Sequence, residues 1–137
     1  MNLTYQMSPK IEDKTDFKAS FSADDGIFVA FIGYEARSLF LTELANTIGL
    51  SDPILTTLEE NACTHSFDKN REKVEEMGYR LKEFQRGGVR TLVARVLMRI
   101  RGELQKPGPS RVSVHIDYSS MPRDWYCMLF IKLVKGF

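Results

Sequence analysis

The sequence predicts an α/β fold built on a mostly parallel sheet, and two observations carry that expectation. Apolar segments rich in β-formers alternate with amphipathic helical segments along most of the 137 residues. The first apolar segment, "IFVAFIG" from Ile27 to Gly33, is continuous rather than alternating, as a strand covered on both faces requires.

A helix is expected over about Arg37 to Ile48, with Leu41, Leu44, Ala45 and Ile48 on one face and Gly49 as its C-terminal stop. Ile54 to Leu58 reads as the second strand. "SFDKNREKVEEMG" reads as a short polar helix, capped by Ser66 or Asp68 and ended by Gly78. "YRLKEF" fits two patterns: Tyr79 and Leu81 alternate with charges, whereas Val74, Met77, Leu81 and Phe84 fit one helical face. With Gly78 as a stop, a short third strand over 79–84 is the expectation. "RTLVARVLMRIRGEL" is a helix with Leu92, Val96, Ile100 and Leu104 inward. "RVSVHID" is the fourth strand, and a helix from Pro122 to about Val134 closes the chain.

Right-handed crossovers reduce the arrangements to few, of which strand order 3-2-1-4 is the most economical. That is a three-layer, Rossmann-like architecture. It occupies residues 26–137. Residues 1–25 form an N-terminal arm or an added edge strand, on the alternation of Leu3, Tyr5 and Met7 and the spacing of Phe17 and Phe21. Asp24-Asp25-Gly26 reads as a turn.

Composition narrows the function classes. A net charge of +1 supplies no global attraction to nucleic acid or an anionic membrane. Six basic residues between Arg86 and Lys106 face one acid, Glu103, so the Arg90–Arg101 helix face is a minor candidate for nucleic-acid contact. The N-terminus lacks a continuous apolar signal region, and Lys132 and Lys135 interrupt the last helix, so no membrane segment is expected. Two cysteines, Cys63 and Cys127, the latter in what reads as a buried helix, argue against a disulfide framework and for a cytoplasmic protein. "CTH" (Cys63, Thr64, His65) offers too few ligands for zinc, so no metal is expected. The chain stops directly after an apolar helix, so the expectation is either an excised domain or a partner domain that covers that helix.

Two strand-to-helix junctions carry the chemistry. "GYEARS" follows the first strand and "DYSSMPR" follows the fourth. In order 3-2-1-4 these strands are neighbours whose helices leave on opposite faces, so a crevice opens between their C-terminal ends. With Pro122 in the first helical position, Ser119 and Ser120 stand at a helix entrance suited to phosphate. Arg37 or Arg123 supplies bidentate contacts, and Gly33 lets backbone approach a ligand. Asp117 and Glu35 suit ribose hydroxyls, and Tyr34 and Tyr118 offer flat surfaces for a base. Ser38 completes the predicted set. His115, two positions before Asp117, either shares that crevice or sits in the core.

With these residues placed, the segments "IFVAFIGYEARS" and "VHIDYSSMPRDW" loosely resemble the CRISPR-associated Rossmann-fold (CARF) domains over most of residues 27–135. Ser119, Ser120 and Arg123 stand where that family carries small hydroxyl or glycine residues followed by a basic residue. The resemblance implies nucleotide sensing and a two-fold homodimer. The expected function is therefore a nucleotide-binding sensory or regulatory domain recognising phosphate and ribose, its cofactor unspecified. The competing expectation is a nucleotide- or nucleoside-processing glycosidase or hydrolase using Glu35 or Asp117.

Overall fold

The computed structural model describes residues 11–21, 26–108 and 111–135. Four strands, β1 (Gly26–Phe31), β2 (Ile54–Leu58), β3 (Leu81–Phe84) and β4 (Ser113–Asp117), form a sheet in the order β3-β2-β1-β4, with every pair parallel. Six α-helices accompany them: α1 (Lys14–Ser20), α2 (Phe40–Thr47), α3 (Glu59–Ala62), α4 (Asp68–Glu76), α5 (Val89–Leu104) and α6 (Arg123–Lys135). The predicted order and the three layers are present.

β1 shows why its sequence is apolar at every position. Ile27, Val29 and Phe31 pack on one side with Leu92 and Val96 of α5 and Trp125 and Leu129 of α6. Phe28, Ala30 and Ile32 pack on the other with Phe17, Leu39, Ala45 and Phe67. Each fully buried side chain of this size contributes about 1.5–3 kcal/mol of transfer free energy, so two covered faces need an unbroken apolar run.

Two helix ends set the strand starts. After α2, Gly49 takes φ +83°, with Gly49 N–H donating to Asn46 C=O and Leu50 N–H to Ala45 C=O. After α4, Gly78 takes φ +77°, with Gly78 N–H donating to Glu75 C=O and Tyr79 N–H to Val74 C=O. Both are Schellman closures, in which a left-handed residue turns the chain and satisfies the last carbonyls. The second decides the ambiguous segment: the chain leaves α4 at Gly78 and enters β3 as a strand.

Several expectations need correction. The helix after β1 begins as a 3-10 turn (Ala36–Leu39) before α2; the expected face of Leu41, Leu44, Ala45 and Ile48 packs on the core as anticipated, with Leu39 and Thr42 buried as well. Neither Ser66 nor Asp68 caps α4, because a 3-10 turn (His65–Phe67) leads directly into it. α6 starts at Arg123, and Pro122 precedes it, its carbonyl accepting from Trp125 and Tyr126 N–H. Cys127 is exposed rather than buried, as is Cys63, because Trp125, Leu129 and Leu133 form the inward face of α6.

The described part of the arm is helix α1 rather than an edge strand. The Asp13 carboxylate accepts from Asp16 N–H at 2.9 Å and starts it. Phe17 and Phe21, one helical turn apart, pack edge-on to Phe28 with ring centroids 5.8 and 6.2 Å away. Four-residue spacing of aromatics is helical spacing, and the core contact outweighs any sheet-edge alternative. The alternation at Leu3, Tyr5 and Met7 and the turn at Asp24-Asp25 lie outside the described residues. Among the described residues, no helix is long and apolar enough to cross a membrane.

Candidate functional site

Parallel pairing of β1 with β4 sets Ala30 against Asp117, so both strands end at the same edge of the molecule. The following loops touch. A Cβ placed on Gly33 would lie 3.5 Å from Ser120 Cβ and 3.8 Å from Ser120 Oγ. Segments more than eighty residues apart in sequence therefore meet at one tip, on top of the adjacent strand ends.

The loop after β1 is held from beneath. Ser38 Oγ accepts from Gly33 N–H at 3.1 Å and donates to Glu35 C=O at 2.8 Å. Asn70 of α4 sends Nδ2 to Gly33 C=O at 2.8 Å and to Glu35 C=O at 2.9 Å. Thr57 Oγ1 donates to Ile32 C=O at 2.6 Å just before the loop. Ser38, Asn70 and Thr57 are all buried. Ser38 was expected among ligand contacts. Its hydroxyl instead lies beneath the loop and is consumed in shaping it.

The loop after β4 closes on itself. Asp117 Oδ1 accepts from Ser119 N–H at 3.1 Å and from Ser119 Oγ at 2.6 Å. Met121 N–H then donates to Tyr118 C=O at 3.1 Å, completing a turn into α6. Ser119 is exposed and Ser120 half-buried, directly ahead of the first turn of the 13-residue α6.

Charge at the tip is divided unevenly. Arg37 pairs with Glu35, both at the surface. Arg123, exposed at the start of α6, forms no ion pair among the described residues. Tyr34 and Tyr118 are both largely exposed, with Tyr118 ring-packed on Tyr126 at 5.2 Å. Among the described residues the tip thus presents Arg123 without an ion pair, the Ser120 hydroxyl and a helix start, which suit an anion, beside the exposed Asp124 carboxylate of the first turn.

Other predicted features lie elsewhere. His115 points to the α1 side of the sheet, its ring 4.7 Å from Phe21. His65 pairs with Asp68 at 3.0 Å, and the described residues contain no group of three His, Cys, Asp or Glu able to hold a metal. Three of the six basic residues between 86 and 106 are paired: Arg86 with Glu60, Arg99 with Asp52 and Lys106 with Glu103. Two concavities of the described surface lie away from the tip. One, of about 710 Å³, is at the N-terminal ends of β2 and β3 between Asp52, Arg80, Lys82 and Arg95. The other, of about 490 Å³, runs beside β4 between Lys18, Phe21, Arg111 and His115.

Sequence reasoning missed Asn70 and Thr57. An asparagine in a polar helix and a threonine in a strand give no sign that they reach a loop formed elsewhere in the chain. Comparison with protein-family models, with curated proteins and with solved structures gave no significant match.

Proposed function

We propose that this chain is a cytoplasmic sensory or regulatory domain that binds a nucleotide, through phosphate and ribose, between the loops after β1 and β4. The supporting observation is the close approach of Gly33 to Ser120 at the switch point, beside the start of α6 and Arg123, which has no ion pair among the described residues. Anions gather at such places because helix N–H groups and a guanidinium point at one spot. In this reading Arg123 and the Ser120 hydroxyl hold the phosphate, and Tyr34 or Tyr118 lies against the base. Ser119 keeps Asp117 in place, and Glu35 restrains Arg37.

The enzymatic alternative is weaker on the same geometry. Asp117 Oδ1 already accepts two hydrogen bonds, and Glu35 is ion-paired, so both carboxylates serve loop structure. Calorimetry against mono-, di- and cyclic nucleotides tests the proposal. Arg123→Ala is expected to weaken binding at least about tenfold, the scale for losing a charge-assisted hydrogen bond. A panel without binding, or binding indifferent to Arg123→Ala, refutes it.

A further inference from the structure

The two edges of the sheet are built differently. At β3 the edge carries charge: Arg80 and Lys82 are exposed, and Glu83 pairs with Arg71 at 2.7 Å. Charged side chains of this kind discourage pairing with another strand. β4 has no second neighbouring strand among the described residues, and the run Val112 to Ile116 carries no lysine, arginine or acid. Val112, Val114 and Ile116 face the core cluster of α5 and α6, yet remain half-buried. Beside them stand the rings of Tyr118, Tyr126 and Phe130, with Tyr118 packed on both of the others.

The sequence of this edge is complementary to itself. Read antiparallel about Val114, "RVSVHID" places Arg111 opposite Asp117, Val112 opposite Ile116, Ser113 opposite His115 and Val114 opposite Val114. Opposed residues in antiparallel strands share a face, so apolar side chains meet on the α6 side and the charges meet on the α1 side. Arg111 is exposed and unpaired among the described residues. Asp117 uses only Oδ1 locally, leaving Oδ2 for a guanidinium.

We infer that β4 pairs antiparallel with β4 of a second copy of this chain about a two-fold axis at Val114. The result is one sheet of eight strands in which each Arg111 meets the other copy's Asp117. The outward backbone N–H and C=O groups of both strands are satisfied, and the Tyr126–Phe130 sides of the two α6 helices come together above the axis. An isologous contact of this kind needs one self-complementary patch, which β4 supplies. The inference stands independently of the nucleotide reading.

Sedimentation of the full chain from about 1 to 200 µM tests it, because association follows mass action. A dimer is expected within that range. Arg111→Glu and Asp117→Lys are each expected to weaken it at least about tenfold. Their equimolar mixture should restore it, since the exchanged charges then face each other in one half and the native Arg111–Asp117 pair remains in the other. Should Asp117→Lys fail to fold, Val114→Cys in a Cys63→Ser, Cys127→Ser background gives a second test. Its thiols meet at the axis and form an interchain disulfide with oxidised glutathione. A chain monomeric throughout overturns the inference, and removing residues 1–10 then reports whether that segment occupies the edge instead. A dimer insensitive to both charge variants, or one yielding no such disulfide, equally overturns it.

Discussion

The loops after β1 and β4 lie against each other but are held by different means. The β1 loop depends on side chains from α4 and β2, chiefly Asn70 and Thr57, that reach its carbonyls from below. The β4 loop depends on its own sequence, with Asp117 bonding Ser119 two residues on. The first is tied to the stability of the surrounding layers. The second is a local turn that forms wherever its strand and helix are in place. In the proposed reading, a ligand between them would rest on one preorganised wall and one self-contained wall.

Breaking the first wall has the largest expected effect. Asn70→Ala leaves the Gly33 and Glu35 carbonyls without their shared donor. The expected loss is about 2 kcal/mol of unfolding free energy, since the buried Gly33 carbonyl loses its closest donor while the Glu35 carbonyl keeps the Ser38 N–H and hydroxyl. Chemical denaturation measures it, and amide exchange should accelerate across 33–38 while 117–121 keeps its protection. Equal acceleration in both loops would show that they are one unit.

A control far from both loops comes next. At the opposite end of the sheet the Tyr79 hydroxyl donates to Leu50 C=O. Tyr79→Phe should cost about 1 kcal/mol at neutral pH, the net worth of one such bond, and leave exchange in both loops unchanged. Burial raises the Tyr79 pKa above 10.0. The folded state then holds the phenolic proton more tightly than the unfolded chain, so this stability is complete below pH 10.0 and is lost as pH rises through the folded value. Denaturation midpoints of the parent chain should fall above that pH, and those of Tyr79→Phe should fall less. Identical alkaline slopes would remove Tyr79 from that account.

Cutting the second wall has the smallest effect. Ser119→Ala removes one exposed hydroxyl contact to Asp117 and should cost no more than about 1 kcal/mol. Exchange should quicken at 118–121 only. A larger loss, or one that spreads to 33–38, would show that the β4 loop also supports its neighbour.

The fold was legible because its signals are local. β2 was anticipated over Ile54–Leu58, and β4 begins two residues inside the predicted "RVSVHID". Gly49 and Gly78 marked helix ends through a backbone requirement that one residue meets alone. The meeting of the two tip loops followed from strand order. Less was legible where a residue's partner is remote in sequence. The inward face of α6 could have been read from Trp125, Leu129 and Leu133 or from the whole apolar run, and the exposure of Cys127 separates the two. Phe17 and Phe21 carried helical spacing, but only Phe28 shows which surface they cover.

The alternation of apolar runs, the glycine stops and right-handed connectivity determined from sequence alone that this is a parallel α/β sheet ordered 3-2-1-4. Each of these acts over a few residues or follows from chirality. Which hydroxyls face outward, which carbonyls Asn70 satisfies and how the two sheet edges differ among the described residues were decided only in the tertiary structure. Those outcomes depend on groups tens of residues apart competing for the same buried hydrogen-bond partners, and that competition exists only once the layers have packed.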